Sequence, residues 1–314
     1  MSIHRPPSAQ TSKRLALSLG LTFAFVIVEV GAGILGNSLA LLTDAAHNFT
    51  DVVALALSWY ALRIAARAAH AGKTFGYHRV GILVALINST TLILIALGIF
   101  YEAYQRFLSP PAVDATILIG VGALAFFVNL GTAWLVKSGS QHDLNLRSAF
   151  LHLMGDVLST VGAVTAGIII AFTSWNWLDP LVSVLIGAFI LWNAYGILRQ
   201  AVNILLESAP ESVDIDSMVS DLRKVKGVRD VHDLHVWSIN ENLRALSAHI
   251  ITDDMLVSAD LPIQRDVNAI LARKYNIRHA TLQLECECVG ENLLYCDIQE
   301  INLVEEEIPA SINS

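Results

Sequence analysis

The sequence has little charge and little cysteine. Only 15% of its 314 residues are charged, 54% are hydrophobic and the mean hydropathy is +0.55, a balance too apolar for a wholly soluble chain. It is the composition of a membrane protein. Cysteine is confined to Cys286, Cys288 and Cys296, and an odd, clustered set near one end argues against a disulfide framework and fits a reducing compartment. No G-x-x-x-x-G-K-[ST] loop and no H-E-x-x-H pair occur, so neither that ATP-binding motif nor that zinc-hydrolase motif is present. A cleavable leader is not expected either. Arg5, Lys13 and Arg14 precede an apolar run from Leu15 to Leu35, but the run exceeds the roughly 7–15 residues of a signal core and has no obvious cleavage site. It reads as an uncleaved first span behind a cytosolic tail, residues 1–14.

Six apolar runs are present, near residues 15–35, 39–62, 80–101, 115–136, 146–171 and 178–198. Each is close to the ~20 residues a helix needs to cross the hydrocarbon core. The expected fold is therefore a polytopic α-helical membrane protein with six transmembrane helices over residues 15–207. Lys and Arg set its orientation. The N-terminus, the 63–79 and 137–147 connections and the exit at Arg199 hold ten basic residues, while the opposite loops hold only Arg106. Both termini are expected in the cytoplasm, and a bacterial inner membrane suits the short 137–145 connection, whose one histidine is His142.

Two of the apolar runs contain polar residues that lipid does not favour. Asp44-Ala-Ala-His47-Asn-Phe-Thr-Asp51 lies in the second run and His152-Leu-Met-Gly-Asp156 in the fifth. Both contain H-x-x-x-D, a spacing that stacks imidazole and carboxylate on one helix face. A carboxylate at mid-bilayer costs on the order of 2.5–3.5 kcal/mol, so a repeated acid and imidazole pair needs more than packing to explain it. Span 2 runs inward and span 5 outward, and Asp51 and Asp156 lie about 12 and 10 residues into their spans, near the midplane at about 1.5 Å per residue. Antiparallel packing can then bring His47, Asp51, His152 and Asp156 together. Two imidazoles and two carboxylates suit a tetrahedral divalent ion, zinc above all. The same lone pairs bind protons, so metal and proton compete, and exchange between the two membrane faces needs no ATP.

Beyond Glu207 the chain turns acidic, with 9 basic and 19 acidic residues in 208–314 against 11 and 9 before it. Asp214 to Lys226 reads as a helix ended by Gly227, Val228–Ile239 and Leu243–Thr252 as strands, Leu261–Tyr275 as a helix and Ala280–Cys286 as a third strand. The order αββαβ suggests a cytosolic ferredoxin-like α/β domain over 208–290, followed by a solvated tail, 291–314.

Paired H-x-x-x-D in spans 2 and 5, Phe75-Gly-Tyr-His78-Arg79 before span 3 and Val231-His232-Asp233-Leu234-His235-Val236-Trp237 in the tail together resemble the cation diffusion facilitator family. The closest resemblance is to its zinc-transporting branch, which holds bacterial cobalt-zinc-cadmium resistance facilitators and animal zinc transporters. The resemblance spans about residues 12–300. It implies a homodimeric antiporter exporting Zn2+ from the cytoplasm against protons, with the His47, Asp51, His152 and Asp156 box as transport site. It also implies a metallochaperone-like C-terminal domain, with His232, His249, Glu285 and Cys296 at cytosolic zinc positions and His78 at an interfacial one. His235 and His279 are candidate helpers, and Cys286 and Cys288 candidate soft ligands. The expected partners are a second copy of the chain, membrane lipid and a divalent ion, with neither nucleic acid nor ATP among them.

Other readings share these residues. The same carrier with Co2+, Cd2+, Fe2+ or Ni2+ has the same ligand types. An intramembrane metalloenzyme needs an open coordination position, and a membrane-anchored metal sensor needs only the tail sites. Glu29 in span 1 is either a proton relay or a hydrogen-bonding residue between helices. Asp44 either guides ions at the outer mouth or sits at the interface as a helix-start carboxylate.

Overall fold

The structure is a computed structural model that describes residues 9–137, 144–286 and 294–295. The chain forms two compact units, Met1–Ala201 and Val202–Ser314.

The first unit is built from long helices: α1 (Ala9–Leu35), α2 (Leu39–Ala65), α3 (Val80–Leu108), α4 (Ala115–Lys137), α5 (Leu144–Thr173) and α6 (Leu178–Leu205). The last of these runs on into the second unit. Leu, Ile and Ala dominate the apolar runs, and in lipid the helix alone satisfies every backbone group within its own segment. Among the described residues, four stretches are long and apolar enough to cross a membrane: Val80–Leu108, Ala115–Trp134, His152–Thr173 and Leu178–Leu205, with a shorter apolar stretch at Thr22–Leu35. The remaining helix, α2, is the one that carries Asp44, His47, Asn48 and Asp51. Large apolar side chains such as Phe172, Trp134 and Trp192 stand exposed on the helix flanks, where lipid takes the place of a core partner.

The helices outrun the apolar segments seen in the sequence. α3 continues to Leu108 and α6 to Leu205, because helix hydrogen bonding does not stop where hydropathy falls. Small residues draw helices close. A Cβ on Gly122 of α4 would lie 2.9 Å from Val164 Cγ2 of α5, and one on Gly167 of α5 2.9 Å from Ile119 Cγ1 of α4. α2 packs between α1 and α3 and also meets α5, which places its polar face against the second H-x-x-x-D helix.

The second unit follows the expected αββαβ order: α7 (Ile215–Arg223), β1 (Val228–Ser238), β2 (Arg244–Thr252), α8 (Leu261–Lys274) and β3 (Ile277–Glu285). Asp214 caps α7 by accepting from Ser217 N at 3.2 Å. β1 and β2 are antiparallel neighbours, and β3 lies parallel to β2 after the α8 crossover. β3 starts three residues before the expected Ala280, because Arg244 of β2 already pairs with Ile277. The exposed Arg278 and His279 hide this start from an alternation pattern. Val231, Leu234, Leu246, Ala248 and Ile250 of the sheet bury against Met218 and Leu222 of α7 and Val267 and Leu271 of α8. Asp221 ties the helix layer together, bonding Lys274 Nζ and Tyr275 Oη at 2.8 Å each. Lys274, Tyr275 and Lys224 hold its carboxyl well below the usual range. Burial and that carboxylate push the Tyr275 hydroxyl up to about 12.

Gly227 joins α7 to β1 at φ +96, and a Cβ there would meet Ile263 Cδ1 at 2.6 Å. Gly227→Ala is expected to destabilise this unit by about 1–3 kcal/mol. The loss should be visible as proteolytic clipping of the C-terminal unit at a lower temperature than in the parent chain.

Candidate metal centres

The two H-x-x-x-D motifs converge. His47 Nε2 lies 3.7 Å from Asp51 Oδ2 on its own helix and 3.4 Å from Asp156 Oδ1 across the interface. His152 Nε2 lies 2.9 Å from Asp51 Oδ2 and 3.8 Å from Asp156 Oδ2. The rings of His47 and His152 meet edge to face with centroids 5.4 Å apart. Ligand atoms of His47, His152 and Asp156 all lie within 4.8 Å of one another, and Asp51 touches both histidines. A tetrahedral ion at ~2.0–2.1 Å from four donors separates those donors by about 3.3 Å, close to the observed spacings. His47 and Asp156 are buried, while Asp51 and His152 are half exposed.

Above this box lies a second buried polar group. Asn48 Nδ2 donates to Glu29 Oε2 at 3.2 Å and to Asp44 Oδ2 at 3.3 Å. Glu29 thus accepts a hydrogen bond that links α1 to α2. Asp44 is buried, at 4% exposure, and is not an exposed interfacial carboxylate. It stands one turn before His47, on the face of α2 that packs inward. Asn48 was not among the expected site residues, because an amide inside an apolar run carries no spacing signal of its own.

At the N-terminal end of α2, Asp179 of α6 is fully buried. It accepts from Ser38 Oγ at 2.5 Å and from the backbone N–H of Leu39 at 2.6 Å and Ala40 at 3.3 Å. Arg106 Nη1 of α3 lies 3.8 Å from the same carboxylate and donates to Asn37 O at 2.7 Å. Three helices are pinned at this point.

The C-terminal unit brings together His232, His249 and Glu285, whose ligand atoms lie within 4.8 Å of one another. His232 of β1 faces His249 of β2 in register, and Gln283 of β3 follows beside it. Glu285 Oε1 lies 2.9 Å from His249 Nδ1, and its Oε2 lies 3.5 Å from His232 Nε2. The cluster occupies the sheet face opposite α7 and α8. Asp233, absent from the expected set, joins it, with Oδ2 3.4 Å from His249 Nε2 and Oδ1 3.1 Å from His235 Nε2.

The remaining expected residues stand apart from these groups. His78 is half-buried in the turn before α3 and belongs to no metal-spaced cluster among the described residues. His279 is exposed on β3. Cys286 is an exposed free thiol, and Cys288, Cys296 and His142 lie outside the described residues. His70 is exposed but structures its loop, accepting from Gly72 N at 3.2 Å and meeting Tyr77 Oη at 3.1 Å.

The cation efflux transmembrane domain model matches residues 15–206, and the model for the cytoplasmic domain of cation efflux proteins matches residues 210–287. The chain is 38% identical over 297 residues to the "Cadmium, cobalt and zinc/H(+)-K(+) antiporter" of Bacillus subtilis, covering 93% of this chain and 95% of that one. It is 38% identical over 273 residues to the "Metal cation efflux system protein CzcD" of Cupriavidus metallidurans, covering 87% and 86%. With the "Zinc transporter ZitB" of Escherichia coli K12 the identity is 35% over 298 residues, covering 94% and 93%. With these matches over both units and an acid and imidazole box inside a lipid-spanning helix bundle, the chain belongs to the cation efflux family, a multi-pass membrane transporter of metal cations and not an enzyme.

Proposed function

We propose that the chain is an antiporter that exports a divalent metal ion, Zn2+ foremost, from the cytoplasm in exchange for protons. His47, Asp51, His152 and Asp156 form the transport site. The observation that carries this reading is the convergence of the four side chains from α2 and α5 at separations of 2.9–3.8 Å. Two carboxylates balance the double charge of the ion, and two imidazoles favour zinc over the hard cations. Each ligand exchanges its metal for a proton as pH falls, so occupancy by one excludes the other. In the orientation set by the basic loops, the half-exposed Asp51 and His152 form the cytosolic half of the box, and the buried His47 and Asp156 the outer half. This pattern supports a conformation that accepts ions from the cytosol.

In this reading residues 15–207 transport, and 208–290 form a metallochaperone-like cytosolic domain that pairs with a second copy. Residues 1–14 and 291–314 are tails. His232, His249 and Glu285 hold a regulatory ion, with Cys296 a further ligand and His78 the candidate for an interfacial one. The protein sits in a bacterial inner membrane with both termini cytoplasmic.

The test is reconstitution into liposomes loaded with a zinc dye under a pH gradient. Zinc uptake with a counterflow of protons is expected, both ceasing when the gradient is collapsed. Zinc movement indifferent to the gradient would remove proton coupling, and competition by Co2+ or Cd2+ that outranks Zn2+ would reassign the ion.

A further inference from the structure

The C-terminal cluster has more donors than one ion uses, and they fall into two groups that share one ring. His249 stands between two carboxylates, its Nδ1 2.9 Å from Glu285 and its Nε2 3.4 Å from Asp233. On the Nδ1 side the partners are buried, with side-chain exposures of 4% for His232 and 6% for Glu285. On the Nε2 side they are open, at 29% for Asp233 and 42% for His235. The outer spacings of 3.1 and 3.4 Å run to the two different oxygens of Asp233, and each is close to the roughly 3.3 Å edge of a tetrahedral zinc site.

A β-bulge creates the outer group. His232 pairs with His249 but His235 pairs with Ser247, so three steps along β1 answer two along β2. The extra residue puts His235 on the same sheet face as His232, where simple alternation would have sent it to the opposite face. Asp233 sits in the bulge at φ +46, a left-handed backbone that Asp tolerates better than most residues. The bulge thus aims a carboxylate between two imidazoles.

The geometry points to a second, outer station for a divalent transition-metal cation, formed by Asp233, His235 and His249 Nε2, alternating with the inner station of His232, His249 Nδ1 and Glu285. This rests on the reading of the cluster as a metal site. A neutral imidazole has one lone pair, so His249 serves one station at a time. Transfer inward moves the ring proton from Nδ1 to Nε2 through water, with no net gain or loss of protons. The exposed station receives the ion from solvent, and the buried one retains it.

The experiment uses the full-length chain in detergent with Asp51→Ala and Asp156→Ala to remove the membrane box and with thiols alkylated. Zn2+ binding is followed by equilibrium dialysis. One ion per chain is expected. With His232→Gln and Glu285→Gln added, one ion should still bind, about 10–100-fold more weakly, and adding Asp233→Asn and His235→Gln should abolish it. If the double inner variant does not fold by circular dichroism, His232→Gln alone gives the same comparison. Binding that vanishes with the inner residues alone, or residual binding untouched by the outer substitutions, would leave Asp233 and His235 as an ion-paired network only. No ion in the starting protein would remove the C-terminal metal site altogether, and transport through the membrane box is a separate measurement.

Discussion

Asp51→Ala or Asp156→Ala is expected to reduce metal flux in proteoliposomes by at least about 100-fold. Loss of a carboxylate that merely orients a metal ligand already weakens binding 10–100-fold, and in the proposed transport site these two would contact the ion itself. In that reading each also balances half of the ion's double charge. Asp51 bridges toward both His47 and His152, and Asp156 does the same from the other helix. Neither loss can be made up by the remaining pair. Conversion to Asn keeps the shape and a neutral oxygen but removes the charge, so it should be nearly as damaging. Flux retained in either alanine variant would show that the ion crosses elsewhere.

Asp179→Ala should have the largest effect on stability. The carboxylate accepts two backbone N–H groups in the first turn of α2 together with Ser38 Oγ, where an anion also meets the positive end of the helix dipole. Its removal leaves the Leu39 and Ala40 N–H groups buried without that acceptor, while Arg106 loses its contact across to α6 and keeps Glu102 of its own helix and Asn37 O. Breaking a buried charged contact of this kind costs about 3–5 kcal/mol. A fall in Tm of roughly 10 °C is expected for the detergent-solubilised protein, with Asp179→Asn intermediate because it keeps an acceptor. The clamp lies about 12 Å along α2 from His47 at 1.5 Å per residue. The variant should therefore melt early while still binding metal in the cold. An unchanged Tm would mean that the outer ends of α2, α3 and α6 are held by apolar packing alone.

The juxtaposition of His47 with Asp51, and of His152 with Asp156, was legible because spacing within one helix fixes which side chains share a face. Their meeting across α2 and α5 followed from the opposite directions of the two spans. The order of elements in the C-terminal unit was legible from caps and alternation. What escaped the sequence depends on contacts between distant segments. Asp179 stands beside Pro180 at the start of the sixth apolar run, and nothing in its own neighbourhood shows that it caps a helix 140 residues away. Asn48 and Asp44 take their roles from Glu29 on another helix. Asp233 was hidden by the bulge, since a period of two cannot show where one residue has been inserted. The helix ends overran the apolar runs for a similar reason, since hydropathy marks the lipid and not the hydrogen-bonded segment.

A zinc-soaked crystal with anomalous diffraction recorded at the zinc edge tests the central claim most directly. An anomalous peak is expected between α2 and α5, about 2.0–2.2 Å from donor atoms of His47, Asp51, His152 and Asp156. Density that is absent there, with the four side chains turned to separate neighbours, would contradict a transport site at this position.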